Sequence, residues 1–161
     1  MGASGASFQN IPRYAPQIPL PESPYLPGRT TRPDHESDKH SIVEGEVDHW
    51  RTQLLFGVDL FNHQFYWEAH ETWEELWLPL DKGDPVRETL QGLIQAAASL
   101  LKLRLSSPSP ARTLWDRGRA RLSEFSGVAS LGLQLESLIQ LLDQAVAVGE
   151  FPRVPPKLLV E

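Results

Sequence analysis

At 161 residues, with a net charge of −6 and no cysteine, the chain has room for one domain with a real core and is short for two. The acidic balance argues against a nucleic-acid partner, which needs a basic face to displace counterions from phosphates. Without cysteine there are no disulfides, thiolate metal sites or cysteine nucleophiles, an absence that fits a reducing compartment.

The chain opens on Met-Gly-Ala-Ser-Gly-Ala-Ser, which has neither the basic nor the apolar region of a signal peptide. It also departs from the myristoylation pattern, because Ala6 stands where Ser or Thr is needed. No apolar run is long enough to cross a bilayer, so the expectation is a cytoplasmic protein with no membrane partner. Half of the 14 prolines then fall between Pro12 and Pro33, a density that blocks both helix and sheet ladder. Ile11, Tyr14, Ile18, Leu20, Tyr25 and Leu26 interrupt that stretch, more apolar surface than a solvated linker carries. Residues 1–45 therefore read as a proline-rich, partly disordered arm, the first ten mobile and 23–41 lying across the site described below.

From Glu46 the apolar period becomes helical. Val47, Trp50, Leu54, Val58 and Phe61 recur at three- and four-residue spacing, and a second helix is expected from about Tyr66 to Leu78. Pro85 suits the first position of a third helix capped by Asp84, with Val86, Leu90, Leu93, Ile94, Ala97 and Leu101 inward. Gly92, Ala96 and Ser99 form a second stripe on it, small enough for another helix to approach closely. Ser106-Ser-Pro-Ser-Pro110 breaks the chain, and a fourth helix follows with Leu114, Trp115, Gly118, Leu122 and Phe125 on one face. A fifth, from about Ser130 to Val148, ends at Gly149 as a cap. Strand-like alternation is nearly absent. The prediction is all-α: a compact bundle of about five helices over 46–150, an extended arm before it and a tail over 151–161.

The stretch Phe61 to Trp77 holds two of the five His, three of the five Trp and four Glu. At about 100° per residue, Tyr66, Ala69, Trp73, Leu76 and Trp77 fill one apolar arc. His70 sits at its edge, with Glu74, Trp67 and Glu71 following, while Glu68 and Glu75 point nearer to solvent. His70, Glu71 and Glu74 thus read His-Glu-x-x-Glu on a half-buried border. In helical His-Glu-x-x-His sites the first and last residues bind metal and the intervening Glu is the base. Here Glu74 replaces the second His, and a third protein ligand must come from elsewhere. A Glu-rich solvated face with a hydrogen-bonded structural His accounts for the same residues. Gln91 and Gln95, one turn apart on the third helix, could orient a ligand or the His70 ring. His35 and His40, near Asp34, Glu36 and Asp38, could supply a missing ligand or simply belong to a polar loop.

Phe61-Asn62, Tyr66-Trp67-Glu68-Ala69-His70-Glu71, Glu74 and Trp77, then Leu90-Gln91-Gly92-Leu93-Ile94-Gln95, resemble the DUF309 family. These are small all-helical proteins of unknown function, labelled predicted metal-dependent hydrolases on motif grounds. The resemblance covers about Val47 to Leu105 and implies that Glu68, His70 and Glu71 matter together. Leu26-Pro27-Gly28 and His40-Ser41 match the lead of longer members, with Arg32 in place of a His before Pro33. Gln64 stands where the family has a glycine that supplies a left-handed turn.

Two functions follow. In the first, a metal-dependent hydrolase, His70 and Glu74 hold a divalent metal ion, Glu71 takes a proton from bound water, and Glu68 completes the shell. In the second, a non-catalytic binding or oligomerisation module, Trp67, Gln91 and Gln95 contact a small molecule, a peptide or a second copy of the chain. The carboxylates then form a structural network.

Overall fold

The computed structural model describes residues 11–33 and 48–161. The expectations for residues 1–10 and 34–47, including Val47, His35 and His40, fall outside that range. The expected helices form as α1 His49–Asn62, α2 Tyr66–Trp77, α3 Pro85–Arg104, α4 Pro108–Phe125 and α5 Leu135–Val148. Residues 11–33 contain turns and bends but no helix or strand, as their prolines require. No helix among the described residues is long and apolar enough to cross a membrane.

Local chemistry sets most helix ends where the sequence puts them. The Asp84 carboxylate accepts the Val86 N–H at 2.9 Å, with Pro85 at the first helical position. Gly149 closes α5 in the left-handed region at φ 78°. Two ends differ from expectation. α4 starts inside the proline break, because Pro108 and Pro110 both lie in its first turn, where no intrahelical N–H is needed. α5 begins at Leu135 and not near Ser130, since Leu131 (φ 58°) and Gly132 (φ 70°) turn the chain left-handed first. The segment after that turn pairs with the tail, the Gln134 N–H donating to Leu159 O at 2.9 Å and Glu161 N–H to Gly132 O at 2.9 Å.

α1 ends in a Schellman turn. Phe65 N–H reaches Leu60 O at 2.8 Å and Gln64 N–H reaches Phe61 O at 3.1 Å, with Gln64 at φ 68°. The left-handed position is therefore kept without glycine. Gln64 offsets part of the strain by accepting a hydrogen bond from Arg104 Nη1 at 2.8 Å. Gln64→Gly removes a left-handed penalty of about 1–2 kcal/mol and a charge-assisted bond of similar size. Urea unfolding should therefore place it within about 1 kcal/mol of wild type, and Gln64→Ala, which keeps the strain and loses the bond, clearly below both.

α2 packs between α1 and α3, and α3 in turn packs closely on α4. The small-residue stripe explains that approach. A Cβ on Gly92 would lie 2.7 Å from Leu122 Cδ2, and one on Gly118 would lie 3.1 Å from Gly92 O. Ser99 Oγ donates to Ala111 O at 2.8 Å across the same interface. α5 is tied to α4 through Asp143, which accepts from Trp115 Nε1 at 2.8 Å and Arg119 Nε at 2.9 Å. Burial pushes the Asp143 carboxyl up, but these hydrogen bonds and the Arg119 charge outweigh it and hold the group below its ordinary range. Its contribution is thus present at neutral pH and is lost as pH falls through the folded-state pKa.

Both flanking segments are fastened to α1. Asp59 is fully buried and accepts from Arg13 Nε, Tyr14 N and Ala15 N at 2.9, 2.8 and 2.9 Å. One turn on, Asn62 clasps the tail: its Oδ1 accepts the Leu158 N–H at 2.7 Å and its Nδ2 donates to Leu158 O at 2.8 Å.

Candidate functional site

The apolar arc of α2 is buried as its period requires. Tyr66, Ala69, Trp73 and Leu76 are inside, and Trp77 is half-buried under the Arg87 guanidinium, 4.1 Å from the ring centroid. Trp73 donates its indole N–H to Leu54 O at 3.2 Å, which locks α2 against α1. Burial pushes the Tyr66 phenol above its ordinary range, opposed in part by the Arg104 charge, so the hydroxyl stays neutral. No hydrogen-bond partner for that hydroxyl lies among the described residues.

On the border of this arc the candidate residues separate. His70 Nε2 and Glu74 Oε2 are 3.3 Å apart, with side-chain exposures of 26% and 43%. The Trp67 ring lies beside His70, centroids 5.6 Å apart. Glu71 is half-buried next to them. Glu68 does not face solvent as the helical wheel alone suggests. Its Oε1 accepts the Tyr25 N–H at 2.7 Å, and its Oε2 is shielded from water. The arm covers the position that the wheel left open.

That arm brings two more side chains to the site. Tyr25 meets Trp67 edge-on at 5.0 Å, and the Arg32 guanidinium lies 5.8 Å from the Trp67 centroid. The turn between them is Leu26-Pro27-Gly28, where Gly28 takes φ 79° and Arg29 N–H closes onto Leu26 O at 2.9 Å. Residues 23–33 of the expected cover thus reach Trp67.

The contacts of the amide pair that the structure shows are those of Gln95. Gln95 faces α4, with its Cβ against Gly118 and its Oε1 accepting weakly from Arg121 Nη1 at 3.4 Å. Arg121 also donates to Glu88 Oε2 at 3.1 Å. Gln91, half-buried, sits one turn earlier on the same flank of α3. Neither amide is joined to His70. Among the described residues, no group of three His, Asp or Glu is placed to hold one metal ion.

Residues 54–114 match the family model of DUF309, a domain of unknown function. Over that segment the chain is similar to the DUF309 family. The match begins inside α1, takes in all of α2 and α3, and ends in α4. The matched segment supplies Asp59, Asn62, Trp67, Glu68 and His70, whereas Tyr25, Arg32 and Arg13 come from outside it. No curated protein matches the chain.

Sequence reasoning missed Arg13 and Asp59. The available signal was Asp59 itself, a carboxylate inside the apolar run Gly57-Val58-Asp59-Leu60-Phe61, because a charge among core positions demands partners.

Proposed function

We propose that the chain is a non-catalytic helical binding module, with the half-buried surface around Trp67 as its site and a small aromatic or apolar molecule as its ligand. The observation that carries this reading is Glu68. Its Oε1 accepts the Tyr25 N–H at 2.7 Å, which ties the arm across α2 beside Trp67. The Trp67 indole is then bordered by the Tyr25 edge, the tilted His70 ring and the Arg32 guanidinium. Aromatic walls with a few placed polar groups are how small-molecule sites are commonly built. His70 and Glu74 serve as the polar rim, and a cytoplasmic setting goes with this reading.

One distance favours a second reading, the metal-dependent hydrolase. His70 Nε2 and Glu74 Oε2 are 3.3 Å apart, close to the spacing of two neighbouring ligands each about 2.0–2.1 Å from one zinc ion. Glu71 would be its base. A one-turn His–Glu contact without metal has the same spacing, and the described residues provide no third donor. The described residues therefore do not by themselves complete a metal site.

The aromatic dye 8-anilinonaphthalene-1-sulfonate, titrated into the full chain, separates the two. The module reading expects saturable binding that Trp67→Ala weakens about tenfold, the effect of one lost aromatic wall, with the helical spectrum and the melt preserved. It also expects tag-free protein to carry no stoichiometric metal and His70→Gln to leave a chelator-insensitive melt. Stoichiometric zinc, manganese or iron that disappears in His70→Gln would overturn it in favour of the hydrolase.

A further inference from the structure

Tyr66 carries a polar group for which the packing of α2 has no use. The residue is 1% exposed, and its hydroxyl has no hydrogen-bond partner among the described residues. Buried polar groups are almost always paired, with protein, with water or with a bound molecule. Burial keeps this phenol protonated, so what it offers is an O–H donor.

A cation lies near it. Arg104, half-buried in the last turn of α3, is close enough for its charge to oppose the effect of burial on the phenol. The two side chains share one neighbour, the half-buried Phe151. Its ring centroid lies 6.0 Å from that of Tyr66 and 5.5 Å from Arg104 Cζ. Arg104 Nη1 donates to Gln64 Oε1 at 2.8 Å, and among the described residues the guanidinium has no other hydrogen bond and no ion pair. Its Nε and Nη2 N–H groups are therefore available. Phe151 belongs to the irregular segment after the Gly149 cap, so it can shift without unwinding a helix.

We propose that Tyr66 and Arg104 together bind the carboxylate of a small organic acid, which enters as Phe151 turns aside. One carboxylate oxygen accepts the phenol O–H and the other accepts from the guanidinium, a planar donor suited to that partner. A monoanion matches the single charge of Arg104, whereas a phosphate dianion would bring an unmatched charge into an apolar place. The Phe151 ring then packs on the apolar part of the acid. This site shares no residue with the Trp67 surface and stands whichever reading of that surface holds.

Acetate and benzoate, titrated into the full chain by calorimetry against chloride at equal ionic strength, test it. Saturable binding is expected, weakened about tenfold in Tyr66→Phe, the equivalent of one hydrogen bond. Arg104→Gln should weaken it further, and acetamide, a neutral isostere of acetate, should not bind. Without ligand, Tyr66→Phe should melt no lower than wild type, because it removes a group that has no partner. No saturable binding at high millimolar concentration overturns the proposal, a buried water then being enough for the phenol. Binding unchanged in Tyr66→Phe overturns it, as does sulfate binding as tightly as acetate, the mark of a general attraction to surface cations. A ligand-free Tyr66→Phe melt well below wild type does the same, since the hydroxyl would then already be satisfied within the fold.

Discussion

Gly57→Ala should be the most damaging conservative change in the helical body, costing about 3 kcal/mol. A Cβ at that position would lie 2.1 Å from Trp73 Nε1 and 2.6 Å from its Cδ1. The indole cannot step aside easily. It is fully buried, its N–H is held by Leu54 O, and the tilted Phe61 ring lies beside it with centroids 6.0 Å apart. Accommodation requires α1 and α2 to separate, which opens space around Phe61 and Tyr66 as well. For a chain of this size the loss corresponds to a fall in melting temperature of roughly 6–12 °C. A thermal melt by circular dichroism checks it, and a midpoint within about 2 °C of wild type would show that the helices give way freely.

Removing the Asp59 carboxylate should be comparably severe. Asp59→Ala leaves the Arg13 guanidinium and two backbone N–H groups without their acceptor, and breaking a buried pair in this way costs about 3–5 kcal/mol. The loss is divided between global stability and the arm, so two measurements are informative. Urea unfolding should show the lower midpoint, and trypsin should cut sooner at Arg29, which is exposed but held on the domain by the arm's contacts. Asp59→Asn keeps an acceptor oxygen and the volume, and should fall between the alanine variant and wild type. Unchanged unfolding and unchanged cleavage in Asp59→Ala would mean that the arm is held by its apolar residues alone.

Most of the helical body was legible because its signals are local. Asp84-Pro85 announces a helix start within two residues, and Gly149 a helix end within one. The small stripe of Gly92, Ala96 and Ser99 has no other use than close packing, and α4 takes it up at Gly118. The left-handed turn at Gln64 was legible only through the family resemblance, since nothing in glutamine asks for φ 68°. What escaped is what depends on distant partners. The period of α5 runs back to Leu131, yet that residue belongs to a turn, and the tail pairs with the segment that follows it. The wheel placed Glu68 correctly relative to the other helices and wrongly relative to the arm, which a wheel does not contain. Gln95 shows the same limit: the period put it on a flank of α3, but only the missing side chain of Gly118 decides which helix meets that flank.

The Asn62 clasp has a consequence for how the protein is made. The amide of a residue in the first helix is satisfied by a backbone unit 96 residues later. Synthesis runs from the N-terminus, so α1 to α4 can emerge and begin to collapse while the buried Asn62 amide still lacks its partner. Such a polar group, enclosed but unpaired, costs about 1–3 kcal/mol. It holds the end of α1 loosely packed until Leu158 has been added. Loop closure over that separation is also slow compared with helix formation. Ribosome-stalled chains ending before Leu158 should therefore remain protease-sensitive at α1, and protection should appear only in chains long enough to bring Leu158 outside the exit tunnel.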